Sequence, residues 1–256
     1  MILNITGKKL NKRFAIKTMI SKKFYKKNNL LIVGGTGFIG LNVAKKALKE
    51  GYRVTIISKT KYPHYKRLKA AKYISVDIRN KKNLLSKIKN KSFNHVINLS
   101  GYVDHSDYFN GGSNVFDTHF NGTINLVNCV NNKNLLSFIQ IGSSDEYGSN
   151  KAPQNESQRE DPISSYSSAK VAATHFLQMM YKTQRFPVVI LRLFLVYGLG
   201  QKNNRFIPQV IDGCIKKNSF PASAGKQLRD FCYIDDVVKS ILLSLKSTKS
   251  HGEIIN

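Results

Sequence analysis

Between residues 30 and 194, short apolar runs alternate with amphipathic ones, and no other feature limits the fold as much. LLIVGG reads as a first strand, followed by an amphipathic helix, GFIGLNVAKKALKEG, that ends at Gly51. RVTIIS and KYISVD read as the second and third strands, NKKNLLSKIKN as a helix and HVINLSG as the fourth strand. NVFDTHFNGTINLVNCVNN is a helix and LLSFIQIGSS a fifth strand. Another helix starts in SSYSSAKVAATHF and runs to about Gln184, and PVVILRLF is a sixth strand. Strands that are apolar throughout and separated by helices indicate a parallel sheet covered on both faces, an α/β doubly wound fold. After Phe194 the alternation weakens. Residues 30–194 are therefore expected to form the main domain, and 195–256 a smaller region with some elements returning to the sheet.

Apolar residues make up 41% of the chain, enough for a substantial core. No run of about 18 uncharged apolar residues occurs, which argues against a membrane span. The net charge is +26, from 41 Lys and Arg against 15 Asp and Glu. The lysines are scattered and travel with asparagines, as biased composition would give. A concentrated basic patch is the mark of a nucleic-acid partner, so nucleic acid is not the expected main role. Cys129, Cys214 and Cys232 lie far apart, with neither metal nor disulfide spacing, which suits a reducing cytoplasm. Residues 1–29 carry many lysines and no acid. A targeting arm is basic and acid-poor in this way, although the apolar core of a secretory signal is missing. A disordered tail and an over-long start ahead of Met19 are the alternatives, and a dispensable tail is the expectation.

The first chemical signal is VGGTGFIG, where the first strand hands over to the first helix. Gly34, Gly37 and Gly40 give one glycine spacing, and Gly35, Gly37 and Gly40 give G-x-G-x-x-G. Either lets the backbone turn tightly, approach a pyrophosphate and pack the helix on the sheet. The helix start then offers N–H groups and a positive dipole end to phosphate. Gly34, Gly35, Thr36, Gly37, Phe38, Ile39 and Gly40 are thus candidate dinucleotide-binding residues. A carboxylate at the end of the second strand would bind the ribose hydroxyls of NAD. Here Ser58 stands there, followed by Lys59 and Lys61, which suits the 2′-phosphate of NADP better and leans toward that cofactor. Asp77 faces the adenine or is an ordinary loop acid. Ile78, Leu99, Ser100 and Gly101 follow strand ends at the same edge and complete the cofactor set.

Tyr166 and Lys170 lie four residues apart and so share one helix face. A free phenol titrates near pH 10, and a neighbouring ammonium favours its ionised form. The same lysine can hold a ribose hydroxyl of the cofactor. Ser143 and Ser144 end the fifth strand, where open α/β sheets bind ligands. Asp145 and Glu146 follow, as a candidate acid/base or a loop pair.

GGTGFIG, IGSSDEYG, YSSAK, LRLFLVYGLGQ and GKQLRDFCYIDDVV occur in this order. Over residues 30–256 the chain resembles the extended short-chain dehydrogenase/reductase superfamily, in its NAD-dependent epimerase/dehydratase branch that acts on nucleotide sugars. The resemblance implies a Rossmann domain, a smaller C-terminal substrate region and a homodimer packed through the helix of Tyr166. It implies Tyr166 as base, Lys170 as cofactor-holding lysine and Ser143 as the serine of the triad, with Ser144 one residue away. Arg229 matches an arginine that holds substrate pyrophosphate; a salt bridge to Asp230 or Asp235 is its ordinary alternative. Three positions depart from the pattern: His119 and Leu195 stand where asparagine is usual, and Leu199 where proline is. Relatives also continue beyond GEIIN, so part of the substrate region is expected to be absent.

Such an enzyme oxidises a sugar hydroxyl to a ketone and can re-reduce it on the other face. A nucleotide-sugar epimerase and a 4-keto-sugar reductase are the leading expectations. A 4,6-dehydratase ranks behind them, because Ser144 separates Ser143 from Asp145. An inactive NAD(P)-binding or regulatory protein is the alternative from another class.

Overall fold

The computed structural model describes residues 28–222 and 224–256. Of the expected tail at residues 1–29, residues 1–27 lie outside the described residues. Asn28 is buried, and the Asn29 N–H donates to Asn94 Oδ1 at 3.0 Å, so the folded body begins slightly ahead of residue 30.

The apolar runs form seven parallel strands in the order β3-β2-β1-β4-β5-β6-β9. They are β1 (Asn29–Val33), β2 (Arg53–Ser58), β3 (Lys72–Ser75), β4 (His95–Asn98), β5 (Ser137–Ser143), β6 (Val188–Leu193) and β9 (Ile254–Ile255). The intervening helices are α1 (Phe38–Lys49), α2 (Lys81–Ile88), α3 (Gly112–Phe116), α4 (Gly122–Cys129) and α5 (Ser165–Gln184). Side chains alternate across a strand, and β1 shows what that does. Leu30 and Ile32 enter one core, with Val43, Ala44, Ala47 and Ile241. Leu31 and Val33 enter the other, with Leu84, Leu126, Phe138 and Leu177. Both faces are covered, and this is why the strands are apolar without interruption.

The third strand is shorter than KYISVD suggests and stops at Ser75, leaving Asp77 in the following turn. The helix expected over residues 114–132 is interrupted. A π-helical turn, Asp117–Asn121, separates α3 from α4 and carries His119 inward. A single wide turn of this kind tends to mark a functional position. Beyond β6, β7 (Leu195–Tyr197) and β8 (Phe231–Tyr233) form a small parallel pair, with α6 (Phe206–Lys216) between them in sequence. α7 (Ile234–Ser244) then packs back against α1, and β9 joins the edge of the main sheet beside β6. Among the described residues, no helix is long and apolar enough to cross a membrane.

Two buried histidines generate an acid sensitivity. His95, at the start of β4, bonds Ser137 Oγ through Nδ1 at 2.7 Å. Burial pushes His95 down to about 4 and His119 to about 3. In the unfolded chain each takes a proton near pH 6.5. Between those values the unfolded state binds more protons, so stability is full above about pH 6.5 and declines as the pH falls. Urea unfolding is expected to lose on the order of 1–2 kcal/mol per histidine between about pH 7 and pH 4.5. His95→Gln should flatten that slope, and an equally steep slope in the variant would refute the assignment.

Candidate active site

The turn between β1 and α1 is built by close approach. Gly34 has φ +77°, and a Cβ there would lie 2.5 Å from the Leu99 carbonyl oxygen at the end of β4. A Cβ on Gly40 would meet Gly34 O and Gly35 Cα at 2.6 Å. Gly37 caps α1 without a side-chain hydrogen bond, so the first N–H groups of the helix keep their donors for a ligand. A narrow, glycine-walled turn ending in free helix N–H groups fits the pyrophosphate of a dinucleotide. Thr36, Phe38 and Ile39 line this turn and the first helical residues.

At the ends of β2 and β3 the polar groups are already paired with one another. Ser58 is largely buried and its Oγ donates to the Thr60 carbonyl at 2.8 Å. Lys59 is exposed, with Nζ 3.7 Å from Asp77 Oδ2. Asp77 is neither a free acceptor nor a plain loop acid. Arg79 clamps its carboxylate, with Nη2–Oδ2 at 2.7 Å and Nε–Oδ2 at 3.1 Å. The Arg79 hydrogen bond holds that carboxyl below the usual range. Ile78 is buried against Gly122. Ser100 Oγ donates to Asn98 Oδ1. Gly101 has φ +109°, and a Cβ there would overlap the His119 ring. The glycine and the histidine are thus a matched pair. His119 Nε2 donates to the Tyr102 carbonyl at 2.9 Å and ties down the loop after β4.

Ser143, Tyr166 and Lys170 come together at the carboxyl end of β5. α5 starts at a capping box in which Ser164 accepts from the Ser167 N–H and Ser167 Oγ bonds back to the Ser164 N–H. That start sets the face carrying Tyr166 and Lys170, both buried. Ser143 Oγ accepts from the Asp145 N–H at 3.2 Å, and its hydroxyl is near enough to the Tyr166 phenol to favour the phenolate. Ser144 opens the short 3-10 turn Ser144–Tyr147. The Lys170 ammonium donates to the Ile141 carbonyl at 2.8 Å. It lies 5.7 Å from the centre of the Tyr166 ring.

Burial outweighs pairing here. The phenol is pushed up to about 12, chiefly by loss of water, with the nearby Ser143 hydroxyl opposing. Lys170 is pushed down to about 8 by its own burial, against the pull of Glu146 and Asp145. The lysine therefore does not lower the phenol in the protein alone. Its ammonium stands over the ring face and donates a hydrogen bond to a carbonyl.

Three neighbours complete the site, of which the sequence marked only Glu146, as half of a candidate acid/base or loop pair. His105 packs edge-on to the Tyr166 ring at 5.7 Å, and its Nε2 donates to Asp145 Oδ2 at 3.0 Å. Glu146 is fully buried and bonds the Ser143 N–H at 2.9 Å. Arg205, just ahead of α6, is near enough for its charge to favour the Tyr166 phenolate. The signal for His105 was its place in the loop after β4; nothing local marks Arg205. Arg229 is exposed and its Nη1 donates to its neighbour's carbonyl, Leu228 O, at 3.0 Å. It pairs with neither Asp230 nor Asp235. Leu195 and Leu199 are exposed on this side of the molecule.

Comparison with known proteins places the chain in a family. A dTDP-D-glucose 4,6-dehydratase of Dictyostelium discoideum is 27% identical over 249 aligned positions, covering 89% of this chain and 56% of the relative. The human dTDP-D-glucose 4,6-dehydratase is 30% identical over 240 positions, covering 89% of this chain and 68% of the relative. The chain thus spans little more than half the length of the first and about two thirds of the second. A solved UDP-N-acetylglucosamine 4-epimerase from Methanobrevibacter ruminantium superposes with a TM-score of 0.76 at 25% identity, over 86% of this chain and 73% of that one. The profile of the NAD dependent epimerase/dehydratase family matches residues 30–256, nearly everything outside the basic tail, and the chain belongs to that family.

Proposed function

We propose that this protein is an NAD(P)-dependent nucleotide-sugar 4-epimerase or 4-keto-sugar reductase. The observation that carries this reading is the convergence of Ser143, Tyr166 and Lys170 beside the glycine turn. A bound nicotinamide dinucleotide supplies the hydride acceptor or donor and, when oxidised, a positive charge near the phenol. Lys170 and the N–H groups after Gly37 hold it, with Lys59 at its adenosine end. Tyr166 exchanges the proton of the sugar oxygen while Ser143 hydrogen-bonds that oxygen. A phenol that keeps its proton at neutral pH suits the reducing half, where it protonates a ketone oxygen. Arg205, whose charge reaches the Tyr166 phenol, and Arg229 carry guanidinium groups suited to a diphosphate. A homodimer through α3 and α5 is part of the same proposal, supported by the exposed Phe109 and Met179.

Substrate turnover separates the two reactions. An epimerase converts a UDP- or dTDP-hexose to its 4-epimer with no net change in cofactor, whereas a reductase consumes one reduced cofactor per 4-keto sugar. Tyr166→Phe should lower either rate about 10²–10⁴-fold and leave cofactor binding nearly unchanged; full activity would sink the assignment.

A 4,6-dehydratase is the second reading. It is favoured by Asp145, which His105 holds beside Tyr166, and by the reactions of the curated relatives. Mass spectrometry would show loss of one water from a dTDP-hexose, and Asp145→Asn should abolish that loss.

The cofactor preference rests on Ser58. No carboxylate at this point repels a 2′-phosphate, and Lys59 and Lys61 are exposed. A partly exposed lysine should contribute roughly 1 kcal/mol toward that phosphate. NADP should bind several-fold tighter than NAD at low salt, with the margin shrinking as salt rises. Ser58→Asp should reverse the order; equal affinities in the wild type would show that Ser58 and Lys59 do not discriminate.

A further inference from the structure

Behind the reacting groups lies a set of buried charges with no task in the scheme above. Arg192 stands on β6 with its side chain wholly out of water. Its Nε donates to Glu146 Oε2 at 3.0 Å, and its Nη2 pairs with Glu160. Its guanidinium lies 4.7 Å from the centre of the Tyr147 ring, and Nη1 has no partner in the protein. Glu146 has no exposed surface either. Its Oε1 accepts from the Ser143 N–H at 2.9 Å, and its Oε2 also accepts from Thr174 Oγ1 at 2.8 Å. Thr174 is one helical turn beyond Lys170 on α5. One carboxylate therefore links the end of β5, the middle of β6 and the helix that carries Tyr166 and Lys170.

Charges removed from water need compensation. Glu146 and Glu160 against Arg192 leave one negative charge over. Lys170 is the fourth ionisable group of this set, buried like Arg192 and Glu146 while Glu160 keeps an exposed edge, and Glu146 is the largest influence favouring its charged form. With the Lys170 ammonium present, the four side chains sum to zero. Other ionisable groups border the set: Asp145 beside Glu146, Tyr166 and His119 toward Lys170, and His175 on Glu160.

We infer that Glu146 is a positioning residue: its carboxylate seats Ser143 against α5, and its negative charge retains the ammonium on Lys170. Arg192 and Glu160 hold that carboxylate in place and keep the interior neutral. The consequence for cofactor binding rests on the proposed role of Lys170.

The test follows Lys170 directly. Protein labelled with ¹³C at lysine Cε is titrated by NMR, with the Lys170 signal assigned by its loss in Lys170→Arg. The midpoint should move to lower pH in Glu146→Gln, less in Glu146→Asp, and least in Glu160→Gln. An unchanged midpoint in Glu146→Gln overturns the inference. Should that variant not fold, Glu146→Asp decides by the same criterion. NAD titration gives the second readout. Near neutral pH, Glu146→Gln should bind NAD roughly five-fold more weakly than wild type, the difference between a charged and a neutral donor. At about pH 6, where both lysines are protonated, the affinities should converge. A shifted midpoint with unchanged NAD affinity would remove Lys170 from cofactor binding and leave Glu146 in its role. Neither measurement involves a sugar, so the outcome is independent of the nucleotide-sugar reading.

Discussion

All seven strands of the main sheet run in one direction, and the site depends on that constraint. Each parallel connection must carry the chain back across a face, which requires a helix or a long crossover. The helices bury both faces, and every strand then ends at the same edge. Gly34, Ser58, Ser100 and Ser143 are remote in sequence, yet all stand at or just past strand ends on that edge. The order changes direction between β1 and β4, which opens a crevice there, as in other doubly wound sheets.

Within that crevice, loss of water decides protonation. Tyr166 and Lys170 move toward their neutral forms, the phenol upward and the amine downward. A lone buried amine would lose its proton more readily still, and Glu146 works against that. The carboxylate is itself tolerable in the interior because Arg192, Thr174 and the Ser143 N–H satisfy it. Removing one member of such a set leaves another charge unpaired, which is why buried networks are sensitive to single changes.

Much of this was legible beforehand for physical reasons. Fully apolar strands such as LLIV and PVVIL can only be interior to a covered sheet. The glycines at 34 and 40 sit where a Cβ has no room. The four-residue spacing of Tyr166 and Lys170 puts them on one face wherever the helix lies. Less legible was anything that depends on long-range approach. The partner of Asp77 is Arg79, two residues on, but its choice over a ligand or solvent depends on the turn after β3. His119 reads as a substituted asparagine until the π-helical turn and Gly101 show that it braces a loop. Arg192 looks like an error in an apolar strand until Glu146 and Glu160, 46 and 32 residues away, are brought to it.

The sequence by itself determined which segments are strands and helices, where the tight glycine turn lies and which side chains share a helix face. Those follow from local periodicity, backbone sterics and residue chemistry. Tertiary structure alone decided that Lys170 donates to the Ile141 carbonyl and that Glu146 holds the Ser143 N–H. These depend on how β5, β6 and α5 stack, and on how far burial strips water from each charge, which no local pattern records.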